Sequence, residues 1–209
     1  MVTQNIAGRW NKENYTMVYV LLQNMKHWKV INEKEVFNVK KRLTVSVQKI
    51  KLHDGRIIDD YYQVRLPSSV ITVARTKKKD IVMSRQYFHG FKKVSIVLPG
   101  GIIEKGEKPL QTAKRELLEE TGCSSADWQL LGSFVTHVHQ VCSKVHFFFA
   151  DNAKQIAKPL SNDLEDMEII LMTEKEIINA IKNEDIISMG TITALTLAKV
   201  ILYHKPKPV

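Results

Sequence analysis

The chain has 209 residues, of which 44% are hydrophobic and 25% charged, a balance that suits one generous domain, or one domain with an N-terminal extension, and a real core. Its two cysteines, Cys123 and Cys142, exclude a disulfide framework and a four-cysteine zinc site, its seven histidines follow no HExxH spacing, and no apolar run approaches the roughly 18 residues of a membrane span. The net charge of +9 divides into +12 over residues 1–98 and −3 over 99–209, and without any nucleic-acid-binding motif it describes a field for a small polyanion rather than for DNA or RNA.

In chain order, the N-terminus carries only the six-residue apolar run Met17 to Leu22, with no basic stretch before it and no small-residue cleavage site after it. A soluble, cytoplasmic protein is expected. Residues 10–24 predict a short helix. From Leu43 the pattern turns to β: LTVSVQKIKL alternates, HDG at 53–55 signals a turn, and RIIDDYYQVRL resumes with β-branched and aromatic residues. SSVITVART and DIVMSRQYF follow as strands separated by the lysine-rich turn Lys77 to Asp80. After an acidic segment, WQLLGSFVTHV and KVHFFFAD predict a strand pair with a loop at 137–143, and MEIILMT a further strand. Thr173 then caps a helix, with Glu176 in the capping-box position, and a last helix is expected from Ser188 to Tyr203. Strands, one helix, strands and two helices spell an α+β chain folded as an α/β/α sandwich.

The acidic segment, VLPGGIIEKGEKPLQTAKRELLEETGC at 97–123, concentrates Glu107, Glu116, Glu119 and Glu120. Pro109 suits the first helical turn and Gly122 the position past the last, which predicts a helix over 109–121. Leu110, Ala113 and Leu117 then form the stripe that packs on the sheet. At 100° per residue, Glu116, Glu119 and Glu120 fall within an arc of about 100° beside it. Three carboxylates so close repel and raise one another's pKa values unless cations sit among them, which is the setting for a hard divalent ion such as Mg²⁺ or Mn²⁺. Gly100, Gly101 and Gly106 allow the preceding loop to turn tightly, and Arg115 can pair with Glu107 to hold that loop to the helix. The plainer alternative is a solvated acidic helix after a glycine turn.

Gly101, five residues, Glu107, seven residues and then Arg115-Glu116-Leu117-Leu118-Glu119-Glu120-Thr121-Gly122 resemble the Nudix box, GX5EX7REUXEEXGU, in every fixed position; only the final bulky aliphatic departs, being Cys123. Upstream, HWKVINEKEVFNVKKRLTVSVQKIKLHDGRIIDDYYQV is similar to the N-terminal strands of the ADP-ribose pyrophosphatase branch, as are IVMSRQYF before LPGG and SNDLEDMEIILMTEKEI downstream. The resemblance implies an N-terminal antiparallel β extension over 1–66 that forms a homodimer, and a Nudix hydrolase domain over 67–209. It also implies metal-assisted hydrolysis of a nucleoside diphosphate linked to another moiety.

Carried over residue by residue, the resemblance makes Glu116 and Glu120 the main metal ligands, Glu119 a further ligand or support, Gly100 a carbonyl donor, and Gly101, Glu107, Arg115 and Gly122 structural. The stretch Asp163-Leu164-Glu165-Asp166 matches the branch's second acidic loop, with Glu165 as the metal-proximal acid and Asp163 as the base. Two positions depart: Phe88 stands where the branch often has a diphosphate-binding arginine, with Arg85 and Gln86 nearby, and Val138 stands where ADP-ribose hydrolases often have proline. His137 and His139 alternate, so on a strand they would share a face towards substrate, while Trp28 is an aromatic face for a nucleobase. A different nucleotide substrate, such as GDP-mannose, a dinucleotide coenzyme or a modified triphosphate, keeps the same chemistry, and a silent nucleotide-sugar sensor would keep the fold alone.

Overall fold

In the computed structural model of the chain, residues 27–40, 42–140, 143–160 and 167–203 are described. The helix expected at 10–24 lies outside them, as do Cys142, Asp163 and Glu165. The described chain forms two compact units, one of residues 27–38 and 45–63, the other of 39–44 and 64–203.

Three strands make the sheet of the first unit in the order β1 (Lys29–Val39), β2 (Leu43–Lys51), β3 (Ile57–Arg65). The alternation in LTVSVQKIK buries Ser46 and Ile50, while β1, whose polar and apolar residues follow no clean period, is exposed along its whole length. Glu33 of β1 accepts hydrogen bonds from Ser46 Oγ (2.6 Å) and Gln48 Nε2 (3.1 Å) of β2, which ties the two strands by side chains as well as backbone.

The second unit is built on the strands β4 (Ser69–Thr76), β5 (Ile81–Phe88), β6 (Lys93–Val97), β7 (Cys123–Ser124), β8 (Asp127–Val135), β9 (Lys144–Gln155) and β10 (Met167–Met172). The order is β10-β5-β4-β9-β7, with β6 added to β5 and β8 to β9. Among the described residues of this sheet only the central pair β4 and β9 is parallel, with Val70 opposite His146 and Val73 opposite Phe149. Buried strands covered on both faces read as near-continuous apolar runs, and VITVA of β4, interrupted by the buried Thr72, and FFFA of β9 do so. Val70 and Ala74 pack under helix α1 (Pro109–Thr121) with Ala113, Leu117, Phe148 and Ala150. Val73 faces the other layer, where Ile177 of α2 (Glu174–Lys182) and Ala194 and Ala198 of α3 (Met189–Tyr203) close over Met83, Phe147 and Phe149. The expected α/β/α sandwich is therefore present.

Each cap has a local cause. Thr173 accepts from the Glu176 N–H, and the Glu176 carboxylate accepts in return from the Thr173 N–H at 2.8 Å, so two orphan donors at the start of α2 are satisfied. Gly122 ends α1 in the left-handed region (φ 69°) and donates to Leu118 O at 2.8 Å. Two expectations are corrected. Leu110 lies exposed: at 100° per residue it shares the side of Leu117 and Thr121, but it stands in the first turn of α1, ahead of the buried positions Thr112, Ala113, Leu117 and Thr121. The strand β8 stops at Val135, and residues 138–140 form a turn, so His137 and His139 share no strand face.

Candidate active site

Residues 99–103 lie alongside β4, where the Val70 N–H donates to Gly101 O (2.9 Å), the Thr72 N–H to Pro99 O (2.9 Å) and the Ile103 N–H to Ser68 O (2.9 Å). This pairing turns the backbone groups of Pro99 and Gly101 towards β4. The Gly100 N–H instead donates to Glu120 Oε2 at 2.9 Å, and an extended residue sends its carbonyl to the same side as its N–H. A side chain at Gly100 would strike Val70 O, and one at Gly101 would fall on the carboxylate of Glu116. Both glycines are needed for close approach, with no left-handed backbone at either.

The remainder of the loop is held by charge. Arg115 Nε donates to Glu107 Oε1 at 2.9 Å and Nη2 to Oε2 at 3.1 Å, the forked geometry of a guanidinium on a carboxylate. Thr112 Oγ1 adds a third donor to Glu107 at 2.8 Å. These contacts, the arginine foremost, hold the Glu107 carboxyl at about 2. The same arginine extends Nη1 to Glu116 Oε1 (2.8 Å) and Glu119 Oε2 (3.0 Å). Its own pKa is pushed further up, by Glu107 foremost and then by Glu119 and Glu116, against the opposing effect of burial. Burial raises the Glu116 carboxyl, and Arg115 opposes the rise, with Glu119 and Glu107 as lesser contributors. The strain expected from three like charges is thus partly relieved by a cation within the motif, and desolvation is the larger effect.

A cavity of about 1070 Å³ opens over this loop, lined by Gly100, Gly101, Glu116, Glu119 and Glu120 and, across from the motif in sequence, by Arg42 and Arg65. All of these residues belong to the second unit. Among the described residues no three acidic, histidine or cysteine side chains stand close enough to form a ready cage for a metal ion. Mg²⁺ needs no such cage, because it keeps several waters and takes one or two carboxylates plus substrate phosphates. The oxygen donors in the cavity lining therefore fit a hard divalent ion.

The candidate substrate residues fall elsewhere. Trp28 belongs to the first unit, edge-on to Tyr61 with centroids 6.0 Å apart. Arg85 pairs across β5 and β10 with Glu168 at 2.7 Å; Gln86, His137 and His139 do not line the cavity. Arg42 and Arg65 escaped the sequence reading because no motif sets them apart from the other cations of the basic half, Arg42 following directly on Lys40 and Lys41, and only the +12 excess hinted at cations facing an anion. Leu160 and Met167, which flank the segment carrying Asp163 and Glu165, both line the cavity, and the Leu160 N–H donates to the backbone oxygen of Glu119 at 2.7 Å.

The NUDIX domain model matches residues 65–189, more than half of the chain, and the protein belongs to the Nudix family. It is a Nudix pyrophosphohydrolase similar to the ADP-ribose pyrophosphatases. It is 25% identical over 165 residues to the ADP-ribose pyrophosphatase of Bacillus subtilis (strain 168), covering 72% of this chain and 89% of that one. It is 35% identical over 136 residues to the methanol dehydrogenase activator of Bacillus methanolicus, covering 63% of this chain and 72% of that one. A solved ADP compounds hydrolase shares the fold, with a TM-score of 0.73 at 19% identity over 86% of this chain and 96% of that one. Among the described residues no helix is long and apolar enough to cross a membrane.

Proposed function

We propose that the protein uses Mg²⁺, or Mn²⁺ in its place, to hydrolyse the pyrophosphate bond of a nucleoside diphosphate sugar such as ADP-ribose, releasing AMP and a sugar phosphate. The observation that carries this reading is the shared cavity: the motif carboxylates, Arg42 and Arg65 all line it. Carboxylates alone would repel a diphosphate; arginines alone would bind it without a place for an ion.

In this reading Glu116 and Glu120 hold the ion, Glu119 supports them, and Gly100 contributes its carbonyl. When bound, the ion neutralises phosphate charge, lowers the pKa of water and stabilises the leaving oxygen. Arg42 and Arg65 draw in the diphosphate and orient it. Water then adds to one phosphorus, the bridging P–O bond breaks, and the water's proton passes to a carboxylate base. Asp163 is proposed as that base and Glu165 as the acid beside the ion; the anchoring of Leu160 at Glu119 and of Met167 at the cavity supports their delivery to it. Glu107 and Arg115 fasten the loop.

The exposed apolar residues of β1, with Val30, Val36 and Phe37 each about half accessible, support the expectation of a homodimer built on this strand. The name of the Bacillus methanolicus relative refers to the activation of another enzyme and to no nucleotide sugar. It favours a second reading in which the same chemistry acts on a different nucleotide, such as a dinucleotide coenzyme.

The test is phosphate release, coupled to a phosphatase, from nucleoside diphosphate sugars, dinucleotides and nucleoside triphosphates with Mg²⁺, Mn²⁺ or EDTA. Metal-dependent turnover that favours ADP-ribose supports the first reading and turnover confined to dinucleotides the second. Folded protein that binds nucleotides but turns over none of them would overturn both and leave a sensor. Glu120→Gln is expected to keep the fold and lose at least about 100-fold in kcat.

A further inference from the structure

On the sheet face opposite α1, a second cavity of about 600 Å³ lies between β4, β5 and β9 and the helices α2 and α3, and it shares no lining residue with the cavity of the carboxylates. Its volume is that of a small-molecule site. Val73, Phe149, Ile177 and Ala198, all buried, belong to its lining. Ile192 and Leu195 of α3 contribute further apolar surface.

Its charged groups are mostly cationic. Arg75, Lys79 and Lys199 line the cavity against the single acid Glu174, which Lys199 pairs with. Arg75 is held in place from two sides: Asp151 accepts from its Nε at 2.9 Å and from its Nη2 at 2.7 Å, and its guanidinium carbon lies 4.8 Å from the centroid of the Phe149 ring. That clamp engages one edge of the fork and leaves Nη1 without an acceptor among the described residues. Lys79, held at φ 76° in the turn between β4 and β5, acts on the Asp151 carboxylate by its charge and has no ion pair within 4.0 Å among the described residues. An oriented guanidinium edge and a nearby ammonium beside an apolar hollow are the two halves of a site for an amphipathic anion.

We propose that this cavity binds a medium-chain carboxylate, its hydrocarbon against Phe149, Ile177, Ile192 and Leu195 and its carboxylate at Arg75 Nη1 and Lys79. Arg75 and Lys79 fix the sign of the head group and the apolar lining the body. The two cavities share no lining residue, and the proposal does not depend on which nucleotide the first cavity takes.

The test is titration of the full chain with decanoate below its micelle concentration, followed by calorimetry, with decyltrimethylammonium as the same chain carrying the opposite charge. One decanoate is expected to bind per chain, with no saturable binding of the cation. Lys79→Glu, a change in an exposed turn, is expected to weaken decanoate at least about fivefold while leaving metal-dependent hydrolysis unchanged. Leu195→Trp, which fills the hollow, is expected to abolish binding, and a circular dichroism melt shows whether that variant is folded. Absence of saturable decanoate binding, equal binding of the two head groups, or an unchanged affinity in Lys79→Glu would each overturn the proposal, whatever Leu195→Trp does.

Discussion

Gly101 lies so close to Glu116 that a methyl group on its Cα would fall on the Glu116 carboxylate, within 2.7 Å of Oε2. Glycine here makes room for a functional group, and the backbone itself needs no unusual conformation. Gly101→Ala is therefore expected to displace the end of a flexible side chain, leaving thermal stability nearly unchanged while kcat falls by about 10- to 100-fold. Gly100→Ala meets the rigid carbonyl of Val70 instead, and is expected to cost about 2 kcal/mol of stability. Urea melts and steady-state kinetics on the two variants separate these outcomes.

The clamp between Glu107 and Arg115 carries a pH signature. Glu107 titrates at about 2 in the fold against 4.5 as its ordinary value. A carboxylate with a lowered folded pKa adds stability above its ordinary pKa, and that contribution is lost as pH falls through about 2. Glu107→Gln is expected to melt about 5 °C below the parent at pH 7. The gap should narrow between about pH 5 and pH 2, as both chains come to carry a neutral group there. A gap that is constant with pH would show that the charge of Glu107 does not hold the loop.

Arg42 and Arg65 line the cavity away from the motif helix in sequence. If they bind the diphosphate, Arg42→Ala and Arg65→Ala should each raise KM about tenfold with a smaller change in kcat. The effect should shrink as salt rises, since both face an open cavity. Unchanged KM in both variants would remove them from the substrate site.

The exposure of β1 makes a prediction about assembly. Phe37→Asp, at a position 52% accessible, is expected to shift the protein from dimer to monomer in light scattering after size exclusion, without unfolding it. A parent protein that elutes as a monomer at micromolar concentration would end the dimer reading.

Much of the site was legible because its chemistry is local. Pro109 and Gly122 bound α1 where expected, Thr173 and Glu176 cap α2, and the eight-residue step from Glu107 to Arg115 brings a carboxylate and a guanidinium together. Such features depend on caps, helical spacing and charge within about two turns, which the sequence by itself determines. It also determined the family, through the motif. Only the tertiary structure decided the rest. It buried Thr112 and Thr121 of α1 and left Leu110, in the first turn, exposed. It put His137 and His139 beyond the end of β8, and it brought Arg42 and Arg65 to a cavity whose carboxylates lie more than fifty residues further along the chain. Contacts between distant segments are set by how layers pack and where backbones can approach, and Gly101 against Glu116 records that approach: a local pattern can require a glycine, but only packing says which group occupies the space it leaves.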